Sequence, residues 1–71
     1  MDAQTTNPEP QDALVIGRRA AEELAEALTL AGLKLPSLNG SYPVMGRPHV
    51  ELGGASADAV FALARWIKER V

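Results

Sequence analysis

The segment 33–56, LKLPSLNGSYPVMGRPHVELGGAS, decides the fold of this chain, because it separates two stretches with helical periodicity. Residues 49–52, HVEL, alternate between polar and apolar side chains, and residues 42–45, YPVM, form a short apolar stretch, so both are predicted strands. The intervening Gly46-Arg47-Pro48 predicts the turn of a β-hairpin.

Turn-forming residues and prolines constrain this hairpin. Residues 37–41, SLNGS, are a dense cluster of turn-forming residues, so the chain is expected to reverse direction there. Pro43 and Pro48 cannot donate hydrogen bonds to a neighbouring strand, which predicts an edge strand or irregular pairing. A hairpin edge is therefore expected to stay open to a partner.

A long amphipathic helix is predicted before the hairpin, from Asp12 to Ala31. Apolar or small residues recur there at spacings of three and four residues, as on one face of a helix. They are Leu14, Gly17, Ala21, Leu24, Leu28 and Ala31. Gly32 is expected to end the helix in a Schellman motif, with Leu33 placed against Leu28.

A second helix is predicted after the hairpin, from Ala57 to about Arg70, with Ser56 as its N-cap. One face of this helix is apolar and consists of Val60, Leu63, Ala64, Ile67 and Val71. Phe61 lies to one side of that face and Trp66 to the other, so the apolar arc is broad. One of these two aromatic residues is therefore expected at an interface.

The resulting order, α-β-β-α, places the chain in the α+β class, with both helices expected on one face of the hairpin. Residues 12–71 form the predicted single domain, and the polar residues 1–11 are predicted to be a flexible acidic tail. About 60 ordered residues is a size at which one hydrophobic core is barely sufficient. We therefore expect homodimerisation to complete the domain.

The composition excludes several classes of function. The 71 residues include no cysteine and one histidine, which removes disulfides, thiolate metal sites and cysteine nucleophiles. A formal net charge of -2 argues against a dedicated nucleic-acid binder. The sequence shows no secretory signal pattern and no apolar run of about 20 residues, so the expected location is the cytoplasm, without membrane association.

Few residues could carry chemistry. His49 with Glu51 is a possible acid–base pair, but a lone histidine beside a proline is more typical of a strand or turn. Glutamates of the first helix are better explained by ion pairs such as Arg18 with Glu22 than by a metal. Residues 53–56, GGAS, fit a strand-to-helix turn better than an anion site. We predict no catalytic residue, no metal and no cofactor.

The remaining candidates are residues for protein binding. Tyr42, Arg47 and His49 cluster in the predicted hairpin, and an aromatic residue beside an arginine is typical of binding hot spots. Together with Phe61 and Trp66 they form the predicted protein-binding set. The sequence therefore favours a small non-enzymatic interaction module, an adaptor or regulator that binds a second copy of itself and another protein.

A nucleic-acid-associated transcriptional regulator is the alternative. Arg47 and the basic C-terminal turn of Arg65, Lys68 and Arg70 would then contact phosphates. Beyond residue 12, the seven basic residues face six of the nine acidic ones, so the predicted domain is close to neutral. This charge balance keeps the alternative open.

Overall fold

Two helices and two strands follow one another in the order predicted. The computed structural model describes residues 10–71 and contains α1 (Pro10–Leu30), β1 (Asn39–Val44), β2 (Arg47–Glu51) and α2 (Ala57–Lys68). The two strands pair antiparallel as a hairpin, which confirms the α+β class. Most of the predicted tail, residues 1–9, lies outside the described residues, and α1 begins two residues before the predicted Asp12.

α1 ends as the sequence predicts. Gly32 has a φ of +74°, in the left-handed region, and its N–H donates to the Thr29 carbonyl at 3.0 Å. The Leu33 N–H donates to the Leu28 carbonyl at 2.8 Å. These two hydrogen bonds make up a Schellman motif, which satisfies carbonyls at the end of the helix.

α1 packs on the hairpin at a distance that requires glycine. A Cβ atom on Gly17 would lie 2.5 Å from the His49 carbonyl oxygen, and one on Gly40 would lie 2.7 Å from the Arg18 nitrogen. Both neighbours are backbone atoms, which cannot rotate away as a side chain could. Gly17 is buried in one stripe with other small residues of α1, Ala13 and Ala21. This stripe brings the helix and strand backbones together.

The hairpin starts earlier than predicted and turns at a different place. The predicted reversal occurs at residues 35–38, where the Leu38 N–H donates to the Leu35 carbonyl at 3.2 Å, whereas residues 39–41 belong to β1. The turn between the strands consists of Met45 and Gly46, with φ of 52° and 78°. Two successive positive φ angles are typical of a type I′ turn, whose twist matches that of the strands.

A bulge in β1 confirms the predicted irregular pairing. Ser41 pairs with His49 and Val44 pairs with Arg47, so two residues of β1 lie opposite Pro48 alone. A bulge of this kind shifts the alternation of side chains along the strand. Tyr42 lies in this bulge and is 80% exposed.

α2 does not join α1 on the hairpin. Within residues 10–71, no Cα atom of α2 lies within 8 Å of a Cα atom of α1, β1 or β2. The expectation that both helices cover one face of the hairpin is therefore wrong. The physical reason is that α1 already occupies the inward face of a sheet that is only two strands wide.

The predicted start of α2 is confirmed. The Ser56 hydroxyl oxygen accepts a hydrogen bond from the Ala59 N–H at 3.1 Å, as an N-cap does. Before it, Gly53 has a φ of +74°, and a Cβ atom there would lie 3.1 Å from the Ser37 carbonyl carbon. The linker thus runs against the turn that precedes β1, and α2 then extends from Ala57 to Lys68.

We predict that Gly17→Ala destabilises the protein by about 1–3 kcal/mol, because the added methyl group overlaps the His49 carbonyl. Helix propensity alone would give the opposite sign, since alanine favours a helix over glycine by up to about 1 kcal/mol. Urea unfolding followed by circular dichroism measures the difference. Gly54→Ala is the matched control, because nothing lies within 4 Å of its Cβ position. Equal stability changes in the two variants would contradict the packing described above.

The hairpin turn gives a second prediction. Met45 has a left-handed φ of 52°, which costs most side chains roughly 1–2 kcal/mol and asparagine less. Met45→Asn should therefore stabilise the protein by about 1 kcal/mol, whereas the β-branched variant Met45→Val should destabilise it. Thermal unfolding of both variants tests the turn, and a stabilising valine would rule out this geometry.

Candidate protein-interaction surfaces

The hairpin presents one face to α1 and the other outward. Gly40 lies against α1, and it pairs with Val50, so Val50 also belongs to the inward face. Side chains alternate along a strand, which places Arg47, His49 and Glu51 on the outward face. All three are exposed. We use the name outer hairpin surface for these three residues and for Tyr42, which is exposed in the bulge of β1 and also lines a shallow pocket with Leu14 of α1.

The structure brings the predicted hairpin residues Tyr42, Arg47 and His49 to this surface. The imidazole of His49 turns back along its own strand, where Nδ1 lies 3.0 Å from the Arg47 carbonyl oxygen and donates to it in the Nδ1–H tautomer. This contact orients the ring. The outer hairpin surface thus combines an aromatic ring, a guanidinium and an imidazole that remain accessible to solvent.

Carboxylates within residues 10–71 do not gather around His49 or elsewhere in a metal-binding group. Among the residues that the structure describes, no group of three or more His, Asp or Glu side chains could hold a metal ion. The carboxylate of Glu22 instead lies 3.9 Å from the Arg18 guanidinium, as an exposed i,i+4 pair. Such an exposed pair contributes little to stability, typically about 0.3–0.5 kcal/mol.

α2 carries an apolar stripe that stays exposed within the described residues 10–71. Val60, Ala64 and Ile67 recur at spacings of four and three residues along this helix, and all three are exposed. Val60 is 52% exposed and Ile67 is 48% exposed. Phe61 borders the stripe and is 66% exposed. We call Val60, Phe61, Ala64 and Ile67 the α2 stripe.

The two predicted aromatic residues of α2 have different surroundings. Phe61 borders the open stripe, whereas Trp66 is half-buried on another side of the helix. The guanidinium carbon of Arg70 lies 3.8 Å from the centre of the Trp66 ring, and Arg70 Nη1 donates to the Trp66 carbonyl oxygen at 2.8 Å. Arg70 thereby covers the ring through a cation–π contact and also caps a carbonyl near the helix end.

The sequence predicts Phe61 as a protein-binding residue, but it places Val60 and Ile67 on the apolar face of α2, which was expected to pack against the hairpin. An amphipathic pattern shows that a helix has an apolar face, but it does not show which other element covers that face. The pattern therefore does not show where α2 lies relative to the hairpin. The prediction of only two strands does bear on this position, because a two-stranded sheet offers one inward face and α1 already covers that face.

The basic C-terminal residues do not form one free cluster. Besides its contacts with Trp66, Arg70 Nη1 lies 3.7 Å from the Glu69 carboxylate. Its guanidinium therefore already has three partners within its own chain. Arg65 and Lys68 are exposed in the last turns of α2, where cations complement the helix C-terminus.

No protein-family model, curated protein or solved structure matches this chain. In the part of the chain described, from residue 10 onward, no helix has both the length and the apolar character needed to cross a membrane.

The contact between Arg70 and Trp66 gives a third prediction. Arg70→Ala removes the group that covers the ring, so acrylamide should quench Trp66 fluorescence more strongly and the emission should shift to longer wavelength. Arg65→Ala is the matched control, because it removes the same charged group from the last turn of α2, close to Arg70 in sequence. If both variants respond alike, net charge rather than the contact controls the fluorescence.

Proposed function

We propose that this chain is a small non-enzymatic protein-interaction module that associates with a second copy through α2. The observation that carries the proposal is the α2 stripe, which is apolar and exposed on a helix with no Cα atom within 8 Å of a Cα atom of α1 or the hairpin strands. Contiguous exposed apolar surface of this kind is typical of interaction sites on small proteins. A second copy is the partner expected for a domain of this size.

The small core of the α1–hairpin unit supports the same proposal. Between residues 12 and 71 the buried apolar side chains are Ala13, Ala21 and Leu28, two of which are alanines. Because alanine removes little apolar surface from water, these residues contribute less than a leucine-rich core would. Self-association adds apolar burial, and it makes the folded state more stable as the protein concentration rises.

The outer hairpin surface is proposed as the site for a different protein. Tyr42 and Arg47 are residue types enriched at binding hot spots. Self-association through the α2 stripe would leave this hairpin surface free for another protein. The module would thus act as an adaptor or regulator in the cytoplasm, holding one copy with α2 and a second protein with the hairpin.

Nucleic-acid binding has less support. The guanidinium of Arg70 is already engaged by Trp66 and Glu69, and the whole chain has a net charge of -2. Phosphate contacts need free cations, and they weaken steeply as salt is added. Salt-sensitive binding of a mixed-sequence DNA duplex or RNA at low ionic strength would favour this alternative instead.

Sedimentation velocity over a hundredfold concentration range tests the self-association. We expect a dimer of the unaltered chain, and a dissociation constant at least about tenfold higher for the double variant Phe61→Ser and Ile67→Ser, which corresponds to 1.4 kcal/mol or more. Leu30→Ser is the matched control, because Leu30 is 86% exposed but lies on α1. Circular dichroism verifies that each variant is folded. A folded monomer of the unaltered chain at every concentration would exclude the dimer.

A further inference from the structure

We propose that β1 accepts an extended segment of another protein as a third strand, in a groove between its free edge and α1. The inference rests on the proposed role as a protein-interaction module and names the chemistry of the second partner. That partner is a short peptide stretch with apolar side chains at alternate positions. The binding does not depend on self-association through α2.

Gly40 directs its backbone N–H and C=O toward the free edge of β1. The two-residue turn makes Val44 and Arg47 a hydrogen-bonded pair, and alternation along β2 makes His49 and Ser41 another. Gly40 directly precedes Ser41, so its own N–H and C=O point away from β2. The sheet in the described part of the chain has two strands, and neither of them takes up these groups. They can therefore pair with the backbone of an added strand.

A groove runs beside this edge. A helix is about 10 Å wide and two strands lie about 4.8 Å apart, so the flank of α1 overhangs the narrow sheet. Two depressions along the β1 side of α1 share Asn39 and Gly40, and they join end to end. No Cα atom of α2 lies within 8 Å of a Cα atom of β1. An added strand about 4.8 Å from β1 would lie in this groove. Its α1 wall consists of Leu14, Arg18, Ala21, Glu22 and Ala25, and its other wall of residues 38–42 with Glu51.

The prolines favour the edge of β1 over the edge of β2. Pro48 lies in the middle of β2, between two residues whose backbones face β1, so its own backbone faces the free edge without an N–H. In β1, Pro43 comes near the end of the strand, and residues 38–42 contain no proline. Pro43 thus limits an added strand to a short stretch but does not remove the central donor.

The groove is complementary to neutral, apolar side chains. The Arg18 guanidinium lies 3.9 Å from the Glu22 carboxylate, so the charges on the α1 wall balance each other. Ala25 adds only a methyl group to this wall, and Leu14 is 41% exposed at one end. A peptide residue opposite Gly40 shares its face of the sheet, so its side chain points to α1, as does every second residue from it. These side chains should be apolar, whereas the intervening ones face solvent and can be polar.

A phage-displayed library of random dodecapeptides, panned against the full-length chain, supplies the probe. We expect the selected peptides to share a proline-free stretch with apolar residues at alternate positions. One of them is synthesised with a fluorescein label and a single backbone N-methyl group, placed at each residue in turn. N-methylation removes a donor, so fluorescence anisotropy should show a dissociation constant at least about tenfold higher at alternate residues and nearly unchanged between them. Equal effects at all residues would contradict strand pairing.

Variants of α1 locate the bound peptide. Leu14→Glu puts a charge into the apolar end of the groove, so the dissociation constant of the unmethylated peptide should rise at least about tenfold. Ile16→Glu is the matched control, because Ile16 is 46% exposed on the same helix but lines a different depression. Circular dichroism verifies that both variants are folded. The double variant Phe61→Ser and Ile67→Ser should bind the peptide with unchanged affinity.

Each other outcome separates this inference from the proposed function. Binding that is lost in Arg47→Ala but kept in Leu14→Glu would place the partner on the outer hairpin surface. That result would overturn the inference while the proposed function stands. Equal weakening by Leu14→Glu and Ile16→Glu would overturn it as well. A selection without any binding peptide would also overturn it, and sedimentation would still decide the self-association.

Discussion

The approach of the α1 backbone to the hairpin backbone is the constraint on which the rest of the structure depends. Gly17 lies over the His49 carbonyl, and Gly40 lies under the Arg18 amide, so no side chain separates the two layers at these points. Close contact of this kind gives dense packing. It also leaves little volume for large apolar side chains, which is why the buried stripe of α1 consists mainly of glycine and alanine.

The position of α2 follows from that constraint. A two-stranded sheet has one inward face, and α1 lies so close to it that a second helix has no room there. α2 begins after a linker that runs against Ser37, and none of its Cα atoms lies within 8 Å of a Cα atom of α1 or the strands. The chain thus divides its apolar residues between a compact α1–hairpin unit and a helix whose apolar stripe remains open.

Features that depend on residues close in sequence could be predicted from the sequence. The Schellman motif at Gly32 and the N-cap at Ser56 involve partners only a few residues away, and both are confirmed. The sequence predicts the hairpin turn at Gly46-Arg47-Pro48, whereas the structure has it at Met45 and Gly46. Methionine seldom adopts a positive φ, so Met45 gives no turn signal. Gly40 was interpreted as a turn residue, since its actual role depends on the distant Arg18.

The candidate surfaces were predictable to a similar extent. The exposure of Tyr42, Arg47 and His49 agrees with their assignment to a hairpin surface, but the bulge that contains Tyr42 has no sequence signal beyond the presence of Pro43. Phe61 was recognised because it lies beside the main apolar face of α2. The exposure of Val60 and Ile67 depends on which elements surround α2, and local periodicity does not contain that information.

The prolines of the hairpin limit how such a protein can assemble. Both strands of a two-stranded sheet are edge strands, and β1 contains Pro43 while β2 contains Pro48. A proline in an edge strand removes a donor and hinders the addition of a further strand. Growth of the sheet into open-ended fibrils is therefore disfavoured at both edges. Association of two α2 stripes about a two-fold axis would instead end at a dimer.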